Sequence, residues 1–277
     1  MKEVENLLQK GPILDKNDTL PHIRNLINKF SVYELPVTEG LRLLGTVSIR
    51  KIVNFLKNTK TENILAQNLV EKNFIRVRID SEIKEIVENF LKTKKFIACF
   101  VSEDILYGYL QRLKLLNFLL QTKESVSGLI SSDFVSVQFD DGIEKLIKAV
   151  KKEKNVVVFK NEIIINAFSP EELYSLLFIG NYIKKVEKDF ETLRSDEKRF
   201  LKFRRRQQLI NYLKKNYSFI SIPKLRIGEI LKEGKIISKE ERIGNVARIM
   251  LEINKSVLPL GEGIITDLDL LRYYYEG

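Results

Sequence analysis

The 277-residue sequence contains no tryptophan, one cysteine (Cys99) and one histidine (His22). A single cysteine excludes an intrachain disulfide. One cysteine and one histidine are also too few for a zinc site of the usual four-ligand kind within one chain. Cys99 lies in the apolar run Phe96–Val101, which predicts a buried and inert thiol, and we expect a structural role for His22. Disulfide-stapled and zinc-dependent proteins are therefore excluded.

Long apolar runs and familiar catalytic motifs are also missing. No apolar run approaches the roughly 20 residues that a membrane-spanning helix requires. The N-terminus lacks the basic stretch and apolar core of a secretory signal. Neither the phosphate-binding pattern G-x-x-x-x-G-K-S/T nor the nucleophile pattern G-x-S-x-G occurs. We therefore expect a non-enzymatic, cytoplasmic protein with no membrane segment.

Positive charge is abundant and is concentrated in one segment. The formal net charge is +10, and residues 184–226 hold 14 Lys/Arg against 5 Asp/Glu. Strand patterns are absent from residues 178–222, and two amphipathic helical stripes replace them. Six cations fall within nine residues of this predicted helical insertion: Lys198, Arg199, Lys202, Arg204, Arg205 and Arg206. Such a helix can bind nucleic-acid phosphates, present a solvated basic face, or dock to an acidic partner or anionic ligand.

The rest of the chain contains four similar units. Each has the order strand, helix, strand, strand, helix, and Gly45, Gly108, Asn166 and Gly263 stand at equivalent places in the third strands. These positions are 63, 58 and 97 residues apart. The last spacing becomes similar to the other two once an insertion of about 40 residues is removed. A three-stranded sheet with helices on one side exposes its other face, so we expect the units to pack in pairs.

Two of these units resemble the CBS domain, the βαββα module named after cystathionine β-synthase. The resemblance is carried by Leu35-Pro36-Val37 before Gly45-Thr46-Val47-Ser48, and by Gly263-Ile264-Ile265-Thr266-Asp267-Leu268-Asp269. It implies an α/β (α+β) fold of four CBS repeats packed as two pseudo-two-fold modules. Residues 1–122 would form one module, and residues 123–277, with the insertion at 178–222, the other.

The resemblance also implies a ligand. In the family, the glycine, hydroxyl and acid of this motif form one wall of an adenine-nucleotide site. In the fourth repeat, Thr266 would donate to a phosphate and Asp269 would accept from ribose hydroxyls, within the motif residues Gly263, Ile265 and Asp267. Ile236 and Ile237 would enclose the base. The same residues Thr266 and Asp269 also form an ordinary helix-capping pattern that requires no ligand.

The other repeats keep less of the motif. The first has Ser48 but carries Lys51 in place of the acid, and a lysine cannot accept from ribose hydroxyls. Lys51 could still hold a phosphate. In the third repeat, Ser169 and Glu172 are explained by helix capping. The second repeat, with Gln111 and Lys114, has lost both groups and is expected to be structural.

The resulting functional hypothesis is a non-enzymatic regulatory sensor that binds AMP, ADP, ATP or S-adenosylmethionine. We expect a homodimer that acts on a regulated protein the sequence does not identify, and we expect no required cofactor. Two alternatives remain: a nucleic-acid-binding protein that uses the basic insertion, and a structural scaffold whose ligand sites have decayed.

Overall fold

The computed structural model describes residues 6–58, 64–176, 226–231, 234 and 236–277. The predicted mixed α/β fold is confirmed, and the strand–helix–strand–strand–helix order recurs along the chain. The first repeat contains β1 (Leu14–Asp15), α1 (Leu20–Phe30), β2 (Glu34–Glu39), β3 (Arg42–Ser48) and α2 (Ile49–Asn58). After the short helix α3 (Ala66–Leu69), the second repeat contains β4 (Ile75–Val77), α4 (Ile83–Thr93), β5 (Ile97–Ser102) and β6 (Ile105–Gln111).

The second half of the chain has the same organisation. The third repeat contains β7 (Phe134–Gln138), α5 (Ile143–Val150), β8 (Asn155–Lys160), β9 (Ile163–Phe168) and α6 (Pro170–Tyr174). The fourth follows the short helix α7 (Ile227–Ile230) and contains α8 (Ile243–Ile253), β10 (Val257–Leu260), β11 (Gly263–Thr266) and α9 (Asp267–Glu276). The predicted helical insertion lies outside the described residues, as does Lys235 of the predicted strand 235–237.

Two expectations differ from the structure. The predicted closing helix of the second repeat is a 3₁₀ helix, Arg112–Leu119. Its first residue is buried and makes side-chain bonds to other segments, which constrains the turn. Ile237 forms an isolated parallel bridge to Leu260 rather than part of a longer strand.

The hairpins confirm the equivalence of the repeats. The equivalent residues Gly45, Gly108 and Asn166 pair with Val37, Phe100 and Val158, and the register shifts just beyond that pair in all three hairpins. Two residues connect the strands in every hairpin, but in the fourth repeat the motif glycine, Gly263, is itself the first residue of its strand and pairs with Leu260. The strands of this hairpin are therefore shorter, and its turn directly precedes the motif glycine.

Neighbouring repeats exchange their connecting segments. Gln9, before the first repeat, bridges to Tyr109 in the second, and Glu71, before the second, bridges to Thr46 in the first. Ser131 makes the corresponding bridge to Ile264 of the fourth repeat. The amide of Gly234, before the fourth repeat, donates to the carbonyl of Ile165 in the third at 2.8 Å. The edge of each hairpin is therefore completed by its neighbour.

Four apolar clusters fill the interior. Among the described residues, two of these clusters consist of strand residues: one contains buried residues of the first and second repeats, and the other contains those of the third and fourth. The two larger clusters involve the helices, and they join the first repeat to the third and the second repeat to the fourth. The six strands of the first two repeats form one sheet with the order β1-β2-β3-β6-β5-β4. Sheets thus pair neighbours in sequence, and helices join the two halves.

The first helix of three repeats ends in the same way. Ser31, Lys94 and Asn254 adopt left-handed backbone conformations directly after α1, α4 and α8, with φ values of 49°, 55° and 52°. Each turns the chain sharply into a short loop that leads to the second strand. These loops bring polar residues of different repeats to one central region of the molecule.

Candidate functional site

The turn from β11 to α9 has the capping geometry that its sequence predicts. The Asp269 amide donates to Thr266 Oγ1 at 3.1 Å, and Asp269 Oδ2 accepts from the Thr266 amide at 2.9 Å and hydroxyl at 2.6 Å. Both side chains remain partly exposed. Among the described residues, every bond that this carboxylate accepts uses Oδ2, so Oδ1 retains its capacity to accept a hydrogen bond there. A ribose hydroxyl is a group of the right kind to donate to that oxygen.

Packing requires a glycine at position 263, and this requirement is independent of any ligand. A Cβ atom at this position would lie 2.6 Å from Ile130 Cγ2 and 2.7 Å from the carbonyl oxygen of Ser131. The segment that approaches this glycine is therefore the connection before the third repeat. Gly45 and Gly108 are approached in the same way, by the backbone oxygens of Glu71 and Gln9.

The three isoleucines of the predicted base pocket have different environments. Ile265 is fully buried in the helix-packed core, and Ile237 is 4% exposed. Ile236 is 50% exposed, and Ile130, next to Gly263, is 38% exposed. Of the three, Ile236 is the most accessible from solvent, whereas Ile265 is part of the core.

Asp267 is bound within the protein. Arg112 of the second repeat donates to it through Nε at 2.8 Å and Nη2 at 3.1 Å. Burial raises the pKa of the Asp267 carboxyl, and the Arg112 guanidinium opposes that rise. A charge-assisted, two-pronged pair of this kind is tightly oriented. Arg112 lies in the second repeat, which was expected to be structural, and it was not among the predicted site residues. Both residues stand four positions after their repeat's motif glycine, which is the signal that could have revealed the pair.

The first repeat presents a smaller set of groups. Ser48 Oγ accepts from the Lys51 amide at 3.1 Å and donates to Glu71 Oε2 at 2.6 Å. Because Ser48 already donates its hydroxyl proton, a phosphate here would have to compete with the Glu71 carboxylate. The neighbouring Arg50 pairs with Glu171 of the third repeat at 2.6 Å. Lys51 is partly exposed.

The acid of the third repeat is fully engaged. Glu172 Oε2 accepts from the Ser169 amide and Oε1 from the Ser256 amide, both at 3.1 Å. Lys255 Nζ donates to Asn166 Oδ1 at 2.8 Å. Burial raises the pKa of Glu172 to about 6, and burial lowers the pKa of Lys255. Both carboxylate oxygens of Glu172 are therefore occupied, one of them by a residue of the fourth repeat. This agrees with the interpretation of Ser169 and Glu172 as a helix cap.

A central cleft lies where the first, second and fourth repeats meet. Its volume is about 380 Å³, which includes open solvent. The rings of Tyr33 and Phe96 meet edge to face across 5.4 Å in its wall. The lining residues are Ser31, Val32, Tyr33, Glu34, Phe96, Ile97, Gln111, Leu113, Asn254, Ser256 and Asp267. Thr266 and Asp269 are not among them, so this cleft and the α9 motif are adjacent but distinct, with Asp267 between them.

Several predicted features fall elsewhere. Lys198, Arg199, Lys202, Arg204, Arg205 and Arg206 lie outside the described residues. Within the described residues, no cluster of three or more His, Cys, Asp or Glu could hold a metal ion. None of the helices in that same part of the chain is long and apolar enough to span a membrane.

No protein-family model and no curated protein matches the sequence. Solved structures do match. A Methanocaldococcus jannaschii protein, described as a proposed archaeal homologue of γ-AMPK, has 17% identity and a TM-score of 0.72, and the match covers 98% of this chain and 99% of that one. An uncharacterized conserved protein from Pyrococcus horikoshii has 14% identity and a TM-score of 0.58, with 98% of each chain covered.

A CBS domain protein from Streptococcus pneumoniae matches 43% of this chain and 90% of its own, with 20% identity and a TM-score of 0.37. We draw no argument from so low a score. The two matches along the full chain show that the fold is shared by other solved proteins, and at their levels of identity they show the fold alone. The four-repeat fold that the CBS resemblance predicts is therefore confirmed.

Proposed function

We propose that this chain is a non-enzymatic regulatory protein of the CBS-repeat type that binds an adenine nucleotide at the start of α9. Asp269 accepts from the ribose hydroxyls, and Ile236 contacts the base. Thr266 lies on the phosphate side, and its hydroxyl would have to exchange its bond to Asp269 for one to the phosphate. AMP, ADP, ATP and S-adenosylmethionine all share the adenosine group that these residues would recognise.

One observation carries the choice of this repeat over the others. Asp269 is partly exposed and has an unused carboxylate oxygen, whereas both oxygens of Glu172 in the third repeat are occupied by backbone amides. The first repeat has no acid at this position, and Lys114 replaces it in the second. The start of α9 adds the positive end of a helix dipole, which favours a phosphate.

Binding would regulate by favouring one packing of the repeats over another. α9 packs on α4 of the second repeat as well as on its own repeat. A ligand at the start of α9 is therefore in a position to influence both halves of the chain. The proposed modules, residues 1–122 and 123–277, are the units whose packing would change, either within one chain or in a homodimer.

Isothermal titration with AMP, ADP, ATP and S-adenosylmethionine tests the proposal. Asp269→Asn keeps an oxygen for the cap but replaces the other oxygen with an N–H donor, so we expect it to weaken binding at least tenfold. Lys114→Ala, at the same motif position of the second repeat, is the matched control and should leave affinity unchanged. Equal affinities of the wild type and Asp269→Asn would remove Asp269 from the site. A wild-type protein that binds none of the four ligands would favour the scaffold alternative.

A further inference from the structure

Two arginines of the first half of the chain, repeats one and two, bind acids of the second half, repeats three and four. Arg50 Nη2 donates to Glu171 Oε1 at 2.6 Å, and Glu153 lies 3.6 Å from Arg50 Nη1. Arg112 holds Asp267 through the two bonds described above. Glu171, Arg112 and Asp267 are all buried. At both contacts the positive charge therefore belongs to the first half and the negative charge to the second.

The paired residues occupy equivalent places in their repeats. Arg50 and Glu171 are each the second residue of the helix that closes their repeat, and these helices, α2 and α6, pack together. Arg112 and Asp267 are each the first residue of their closing helix, and these helices, the 3₁₀ helix and α9, also pack together. Each contact between the halves is therefore symmetric in position and asymmetric in charge.

A contact between equivalent positions can also form between two copies of the same half, and each residue then meets its own counterpart. Two first halves packed in this way would bury Arg112 against a second Arg112, and an arginine cannot lose its charge to relieve the repulsion. Two second halves would bury Asp267 against its counterpart, where a carboxyl can take up a proton, because burial already raises the pKa of Asp267. Self-pairing is therefore opposed most strongly in the first half.

The apolar side chains between the halves do not provide this selectivity. The two clusters that join the first repeat to the third and the second to the fourth consist mainly of Leu, Ile, Val and Ala in both halves. A buried ion pair adds little stability compared with apolar residues of the same volume, whereas unpaired charges strongly oppose a wrong partner. The arginines therefore discriminate between partners that the aliphatic surface alone would accept equally.

We propose that Arg50 and Arg112 make the helix-packed surface of the first half an interaction surface that accepts the second half of this chain and rejects a second copy of itself. This inference is independent of nucleotide binding. The first half is synthesised before the second, so the arginines keep its exposed aliphatic surface from pairing with the first halves of neighbouring copies. A homodimer of the complete protein must then use another surface or pair unlike halves of two chains.

Two full-length variants with reversed charges test the proposal. Arg50→Glu/Arg112→Asp places acids on both halves, and Glu171→Arg/Asp267→Arg places arginines on both halves. Each variant opposes its own closure, whereas the two variants complement each other. When they are refolded together from urea at neutral pH, with one of them isotopically labelled, native mass spectrometry should find mixed assemblies in about tenfold excess over unmixed ones. Labelled and unlabelled wild type, refolded together, are the matched control and should mix no more than random pairing allows.

A neutral variant decides the question if the reversed charges prevent folding. Arg50→Gln/Glu171→Gln combined with Arg112→Gln/Asp267→Asn removes all four charges and keeps hydrogen-bonding groups of similar size. Without the arginines like halves can pair, so refolding should give more assemblies of several chains, in a share that grows with protein concentration. The same distribution of assemblies in the neutral variant and the wild type overturns the inference. Folded reversed-charge variants that show no excess of mixed assemblies overturn it as well, and neither result bears on the nucleotide site.

Discussion

The buried Glu172 makes a quantitative prediction about stability and pH. Its carboxylate accepts from the amides of Ser169 and Ser256, and within the described residues it has no cation within ion-pair distance. Lys255, whose charge opposes the effect of burial on Glu172, donates its hydrogen bonds to Asn166 and Ala167. Burial without a close counter-charge is why the pKa of Glu172 is raised from 4.5 to about 6.

The direction of the pH effect follows from that shift. The folded protein holds the Glu172 proton more tightly than the unfolded chain does. The stability that this group contributes is therefore fully present below about pH 4.5 and is lost as the pH rises through about 6. A rise of about 1.5 pKa units corresponds to roughly 2 kcal/mol, of which about 1.5 kcal/mol is lost between pH 4.5 and pH 7.

Glu172→Gln removes this titration and keeps the shape of the side chain. The glutamine has one acceptor oxygen for two backbone amides, so the variant also loses a hydrogen bond at every pH. The lost hydrogen bond lowers the free energy of unfolding by the same amount at every pH, whereas the titration of Glu172 makes that free energy change with pH. We expect the free energy of unfolding of the wild type, relative to the variant, to fall by about 1.5 kcal/mol between pH 4.5 and pH 7.

Urea denaturation of both proteins at several pH values and constant ionic strength measures this difference. Other titrating carboxyls, such as Glu34 and Asp267, are present in both proteins and largely cancel in the comparison. Parallel pH profiles for the wild type and Glu172→Gln would refute the reasoning. A difference of the opposite sign would show that a nearby cation holds the pKa of Glu172 below its ordinary value.

Two further predictions concern buried groups of the sheets. Gly263→Ala places a methyl group against Ile130 and the backbone of Ser131, so urea denaturation should show a loss of about 2 kcal/mol. The matched control Gly128→Ala, which meets nothing within 4 Å, should be close to neutral, and equal losses in both would contradict the packing explanation. Cys99 is fully buried, and burial raises the pKa of its thiol, so a thiol-specific chromophoric reagent should react with it only after denaturation. Rapid reaction with the native protein would show that the sheet interface opens.

Local patterns predicted the repeats well because each repeat contains its own signals. The apolar spacing of α1 and α8 and the capping pair Thr266–Asp269 all lie within a few positions of one another, and the structure places them as expected.

Contacts between repeats could not be predicted in this way. Asp267 and Gly263 both looked like ligand-binding residues, yet one binds Arg112 and the other makes room for Ser131. Both partners are distant in sequence, and nothing in the local pattern distinguishes a position that faces a ligand from one that faces a neighbouring repeat. The 3₁₀ helix that begins at Arg112 was missed for the same reason.

The exchange of connecting segments has a consequence for synthesis of the protein. The Gln9 amide donates to the Tyr109 carbonyl at 2.8 Å, and the Tyr109 amide donates to the Gln9 carbonyl at 3.0 Å. The segment around Gln9 therefore cannot form these bonds until a strand about a hundred residues later has been synthesised. While only the first repeat has left the ribosome, its connecting segment and the hairpin edge at Thr46 have no partners, and open edges of this kind invite pairing with other chains. The smallest unit that can leave the ribosome with its edges protected is therefore a pair of repeats.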